Sequence, residues 1–288
     1  MRASDLVAPF SGTRLPVDLI DDFEARCRAL ATVLRPGDAF TGPTAARLWR
    51  IPLPTRIDGD SVMHVGHSPG DRQLRRRGVQ GAAQPIRTVV HRVGGVAVVD
   101  PISCWMDLAR FLEIPDLVAA GDFLVTGDRG RDPLLDLGEL IARVRSAPAG
   151  GRGIRALRSA AVGIRRGAWS RPESLLRWLL WRSGIPEPES NPELSFDGRR
   201  IIPDLWWPEY RLAAEYDGRY HADPAQWSHD LARSEVLADH GVRVIHVTAA
   251  DLFRNPRMLV RRVADRLRAA GWTSAGRVEM PRNVVLRP

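Results

Sequence analysis

The chain has 288 residues, 44% of them hydrophobic and 26% charged, the composition of an ordinary soluble globular protein with room for two domains. It contains no apolar run of about 18 residues, which excludes a membrane-spanning helix, and its opening stretch lacks the apolar core of a signal peptide, so a cytoplasmic location is expected. Two cysteines, Cys27 and Cys104, stand far apart with no partner pattern, which argues against a disulfide scaffold and a zinc site. The formal charge is +8 and all 42 basic side chains are arginine, a balance that suits a polyanion such as nucleic acid.

In chain order, residues 17–34 have helical spacing, and Phe40–Pro54 reads as a short helix with Pro43 in its first turn. The stretches "SVMHVGHS" and "IRTVVHRV" read as strands, with the basic loop "DRQLRRRGVQG" between them. Residues 100–126 read as two helices broken near Pro115, and an arginine- and glycine-rich stretch then holds two helices joined at "APAGGRG". The expected organisation is an N-terminal helical segment (1–36), a mixed helical and small-sheet module (37–125), a helical linker (126–169), a C-terminal domain (170–273) and an irregular tail (274–288).

The C-terminal part has the clearest pattern. "SRPESLLRWLLWRSG" is a helix capped by Ser170, with Pro172 in its first turn and Gly184 at its end. "NPELSF" and "RRIIPDLWW" are strand-like around an Asp197-Gly198 turn, and "YRLAAEYDG" is a third strand. A helix closed by Gly241, the strand "VRVIHVT" and a last amphipathic helix ending at Gly271 follow. The class is α+β or α/β.

The stretch "PDLWWPEYRLAAEYDGRYH" sets Asp204, Glu215 and Asp217 among apolar neighbours, where unpaired carboxylates are costly. A turn centred on Pro208–Glu209 places Asp204 nearly opposite Ala213 and diagonal to Glu215. Glu215 and Asp217, two apart in a strand, share a face. Three carboxylates at one end of the hairpin suit Mg²⁺ or Mn²⁺, which take oxygen ligands. The residues alone leave a second reading open, in which the three are solvated acids paired to arginines.

With Glu173 in "RPESLLRWLL", that hairpin and "QWSHDLARSEVLADHGVRVIHVTAADL", residues 170–271 resemble the PD-(D/E)XK nuclease superfamily. More narrowly, they resemble the Vsr-like domains related to very-short-patch mismatch-repair endonucleases. The resemblance implies a restriction-endonuclease-like αβββαβα core. It implies Asp204 and Glu215 as metal ligands, Glu173 as a helix-borne acid in the site and His221 as a general acid or base. Asp230 and Arg233 match a pattern in the next helix, where Gln226, Asp230 and Arg233 lie on one face. Gln226 and Arg233 would then meet nucleic acid, with Asp230 behind them. The position usually held by lysine is Asp217. Water activation would pass to His221, or to a second metal ligated partly by Asp217.

"FTGPTAARLWRIPLP", the strand pair and "VVDPISCWMDLA" resemble AbiEi-type antitoxin and regulator proteins over about residues 38–125. That resemblance implies a DNA-associated, helix-turn-helix-like module and a toxin–antitoxin or repair setting. In the basic loop, Arg75, Arg76 and Arg77 are candidates for phosphate contact. Two functions are expected from these features. One is a Mg²⁺- or Mn²⁺-dependent DNA endonuclease. The other is an inactive DNA-binding, antitoxin-like regulator that keeps the nuclease fold as scaffold.

Overall fold

The computed structural model of the chain is mixed α and β, and it describes residues 5–288 apart from 72–73, 85–87, 130–131, 219–232, 234, 275, 277 and 282–283. It divides into two compact units. The first runs to Ala120 and includes Leu134–Ala161, while the second comprises Gly121–Pro133 and the chain from Val162 onward. Gly121–Pro133 joins the second unit because Asp122, fully buried, is ion-paired with Arg177.

The first unit holds a six-stranded sheet. Its order is Arg75–Arg76, Val79–Ala83, Met63–His67, Ala39–Phe40, Val96–Val99, Val90–Val93. The sheet is mixed: Met63–His67 pairs parallel with Val79–Ala83, and Phe40 pairs parallel with Val98. Phe40, Val65, Val98, Trp105, Leu108 and Leu140 form part of its buried core. The expected basic loop is therefore a correction. Arg75–Arg76 and Val79–Ala83 form a hairpin at the sheet's edge, turned by Gly78 at φ 74°, and Val79–Ala83 is held by pairing on both sides. Local polarity concealed strands whose partners are distant in sequence. The helices Pro101–Leu108 and Ile114–Thr126 follow the expected pattern, but the break precedes Pro115, which sits in the first turn of the second.

The second unit begins its core with the helix Arg171–Arg182, whose Ser170 side chain accepts from the Glu173 N–H as a cap. Gly184 follows at φ 86°, a left-handed conformation that glycine adopts without strain. The strands Leu194–Phe196 and Arg199–Ile201 form a separate hairpin, and Asp197 and Gly198 both have positive φ in its two-residue turn. The main sheet has the order Arg243–Thr248, Leu212–Asp217, Leu205–Trp207, Glu189–Ser190. Leu212–Asp217 runs parallel to Arg243–Thr248 and antiparallel to Leu205–Trp207. Ile201, Trp206, Ala213, Leu237 and Val242 form one buried cluster, and both Trp206 and Trp207 belong to the core. The helix Pro256–Arg268 buries Leu259, Val260, Val263, Ala264 and Leu267.

Two expectations fail here. "RRIIPDLWW" is not one strand: it breaks at Ile202–Asp204, where Pro203 has no N–H to give to a ladder, and its halves join different sheets. The turn after Trp207 is also wider than a two-residue turn. Trp207 pairs with Leu212 around a four-residue loop, Pro208–Arg211, formed by a 3₁₀ turn and a left-handed Arg211 at φ 45°. That moves the register by two residues.

Candidate active site

Because Leu205 pairs with Ala214, Asp204 lies across from Glu215 and not from Ala213. This register replaces the expected diagonal with a directly opposed placement. One Asp204 oxygen accepts the Tyr216 N–H at 2.7 Å, and the Asp204 carbonyl accepts the Asn191 N–H at 3.0 Å. Burial pushes Asp204 up to about 7, helped by the negative charge of Glu173 and then of Glu215, against the Tyr216 hydrogen bond and Arg233. Burial also raises Glu215, while Arg233 and His246 pull it back. Both acids thus stand where a negative charge is poorly solvated.

Glu173 comes from the helix Arg171–Arg182 and is buried. Its carboxylate braces the helix start: one oxygen accepts from Ser170 Oγ at 2.7 Å, and the other accepts the Trp169 N–H at 2.9 Å. The second oxygen also accepts from Asn191 Nδ2 at 2.7 Å. Glu173 therefore holds the helix start and bears on the site through its charge. Asn191, which sequence reading missed, ties Glu173 to Asp204 from a left-handed position at φ 49°. An Asn in a turn carries no signal for such a role.

Arg233 lies on Glu215 and not in open space. Its Nη2 is 2.6 Å from Oε1, its Nη1 donates to Oε2 at 3.0 Å, and Nη2 donates to the Ile202 carbonyl at 3.1 Å. Oε1 is buried and accepts no hydrogen bond, because the close Nη2 is out of line with it. Asp217 is turned to His246, whose Nδ1 is 3.1 Å from Oδ2. His246 is paired in register with Glu215 on the neighbouring parallel strand. Sequence reading gave His246 no role; its alternation in "VRVIHVT" was the available signal, but only strand pairing shows which residue it meets.

Among the described residues, no three His, Cys, Asp or Glu side chains gather closely enough to form a metal-ligand set. The three expected ligands are therefore an opposed pair, Asp204 and Glu215, with Asp217 engaged elsewhere. His221, Gln226 and Asp230 lie outside the described residues.

In the first unit, Arg75 and Arg77 are exposed beside an open hollow of about 500 Å³ lined by Arg75–Arg77, Val79 and Gln80. Arg76 is held inward by the carbonyls of Ser11 and Val33. No helix among the described residues is long and apolar enough to cross a membrane.

Comparison with known proteins finds two relatives from Mycobacterium tuberculosis, "Uncharacterized protein Rv2248" of strain H37Rv and "Uncharacterized protein MT2308" of strain CDC 1551. Each is 31% identical over 193 residues, covering 65% of this chain and 69% of its own length. The chain belongs to the family of these two mycobacterial proteins. No family model matches it, and no solved structure does. The members' names assign no activity, so a function for this family's fold has to be argued from the site.

Proposed function

We propose that the C-terminal unit is a divalent-metal-dependent nuclease of the PD-(D/E)XK type that hydrolyses phosphodiester bonds in DNA in the cytoplasm. One observation carries the reading: the strand register, continued one residue beyond the Leu205–Ala214 pair, sets Asp204 opposite Glu215, and burial raises both acids. Two carboxylates suit Mg²⁺ or Mn²⁺, because Mg²⁺ commonly takes one or two protein carboxylates and fills its shell with water and substrate phosphate. An ion held there would polarise the scissile phosphate and lower the pKa of an attacking water. Asp204 and Glu215 hold the charge. Arg233, already beside them, can turn its guanidinium to a phosphate oxygen. His246 has Nδ1 fixed by Asp217 and a side chain 56% exposed, so Nε2 is the nitrogen offered to a proton from solvent. Arg75 and Arg77 of the first unit supply exposed charge for a nucleic-acid backbone.

A second reading has its own support. Glu173, Glu215 and Asp217 all have protein partners, as acids in a catalytically inactive, antitoxin-like DNA-binding regulator would. Asp204→Asn separates the two. Asparagine can still accept the Tyr216 N–H but brings no negative charge to hold a divalent cation. The nuclease reading expects loss of Mn²⁺-dependent cleavage of single- or double-stranded DNA and of Mn²⁺-dependent thermal stabilisation, with the fold intact. A wild-type protein that Mn²⁺ neither stabilises nor activates, together with a mutant destabilised by about 1–3 kcal/mol, would refute it in favour of the scaffold.

A further inference from the structure

The ion pair on Glu215 differs from a buried structural pair. The Arg233 side chain is 32% exposed and that of Glu215 is 14% exposed, and the contact leaves one carboxylate oxygen without a hydrogen bond. Arg233 spends its remaining contact on a single backbone carbonyl, that of Ile202. Among the described residues, a guanidinium so placed neutralises Glu215 and is otherwise held by that one carbonyl.

A divalent cation at Asp204 and Glu215 would need the same Glu215 oxygens that Arg233 now touches. A +1 group and a +2 ion cannot both sit against one carboxylate without repelling each other at close range. The arginine can leave: a phosphate oxygen offers its fork as good an acceptor as a carboxylate does. Substrate would therefore draw off the competitor while supplying the ion with a further oxygen ligand.

We propose that Arg233 is an internal competitor for the metal: it occupies Glu215 in the substrate-free protein and yields it when a phosphodiester takes up its guanidinium. The inference rests on the nuclease reading above and adds to it a coupling between two ligands. The ion binds weakly alone and more tightly once nucleic acid is present, and nucleic acid gains equally from the ion. A site of this kind stays idle until both arrive.

The test is Mn²⁺ binding by calorimetry to the full-length chain, without nucleic acid, for wild type, Arg233→Gln, Arg233→Lys and Asp204→Asn. Arg233→Gln is expected to bind Mn²⁺ about fivefold more tightly than wild type, the equivalent of losing one competing, partly exposed ion pair of about 1 kcal/mol. Arg233→Lys, which keeps the charge without the fork, serves if the glutamine variant does not fold, and its affinity should fall between the two. Asp204→Asn should not bind. A short phosphorothioate oligonucleotide should tighten Mn²⁺ binding to wild type more than to Arg233→Gln. Equal or weaker Mn²⁺ binding by folded Arg233 variants overturns the competition and leaves the ion site standing. Absence of Mn²⁺ binding in wild type and in both Arg233 variants overturns the nuclease reading and the competition together.

Discussion

The C-terminal unit contains two arginine–carboxylate centres that are built differently. Arg177 and Asp122 are 1% and 0% exposed. Arg177 donates to Asp122 at 2.9 Å, to the Gly163 carbonyl at 2.7 Å and to Glu187 at 3.0 Å, although its Nε makes no hydrogen bond. The other Asp122 oxygen accepts the Arg165 N–H at 2.7 Å. Hydrogen-bonding demand is largely met inside the fold, although burial still raises Asp122 to about 6 against the pull of Arg177 and the Arg165 N–H. At the Asp204–Glu215 centre, among the described residues, two acids stand beside one partly exposed arginine, and Asp204 accepts the Tyr216 N–H rather than a charged donor. A closed ion pair joins parts of a fold, whereas the two acids at the sheet end, both raised by burial, are less fully compensated among the described residues.

The sharpest way to break that comparison is Asp122→Ala. It strands the Arg177 guanidinium in the core, and chemical denaturation should show a loss of about 3–5 kcal/mol. A loss below about 1 kcal/mol would mean the pair is not the tie it resembles.

The next effect is on pH. Asp204 is raised from 3.8 to about 7 in the folded protein, so folding favours its protonated form. The associated stability is complete at acid pH and is lost as pH rises through that window, by roughly 2–4 kcal/mol between pH 4 and pH 8 without metal. Asp204→Asn should flatten the slope and, at pH 8, stabilise the metal-free protein by about 1 kcal/mol or more. Unfolding curves unchanged by the substitution across that range would remove the contrast between the two centres.

A smaller effect is expected at Arg233, where loss of a partly exposed pair with Glu215 should change metal-free stability by about 1 kcal/mol or less. A cost as large as that of Asp122→Ala would make Arg233 a structural tie and not a removable one. Smallest for folding are Arg75→Ser and Arg77→Ser. Each should leave thermal stability unchanged, weaken DNA binding uniformly across sequences, and lower the salt slope by about one.

Part of this was legible in the chain. Ser170, Pro172 and Gly184 mark a helix through local chemistry: a hydroxyl for orphan N–H groups, a ring that tolerates the first turn, and a residue free to take positive φ. Asp197-Gly198 marks a tight hairpin in the same way, and Val242–Thr248 reads as a strand from its β-branched alternation. The anomaly of acids among apolar residues was also visible, since burial of Leu205, Trp206, Leu212 and Ala213 follows from composition alone.

Pairing was not legible. A left-handed Arg211 lengthens one loop and moves Asp204 from Ala213 to Glu215, a change that no propensity for arginine predicts. The first-turn position of Glu173 was readable, but its bond to Asn191 and its charge on Asp204 required two elements to meet. His246 became part of the site only when its strand aligned with Glu215, and Arg75–Arg76 and Val79–Ala83 became a sheet edge only when Met63–His67 lay beside them. By itself, the sequence determined the caps, turns, apolar faces and charge supply, because each depends on groups within a few residues of one another. The tertiary structure alone decided which acids face each other and which arginine answers them, because register, burial and electrostatic coupling arise between segments that only folding brings together.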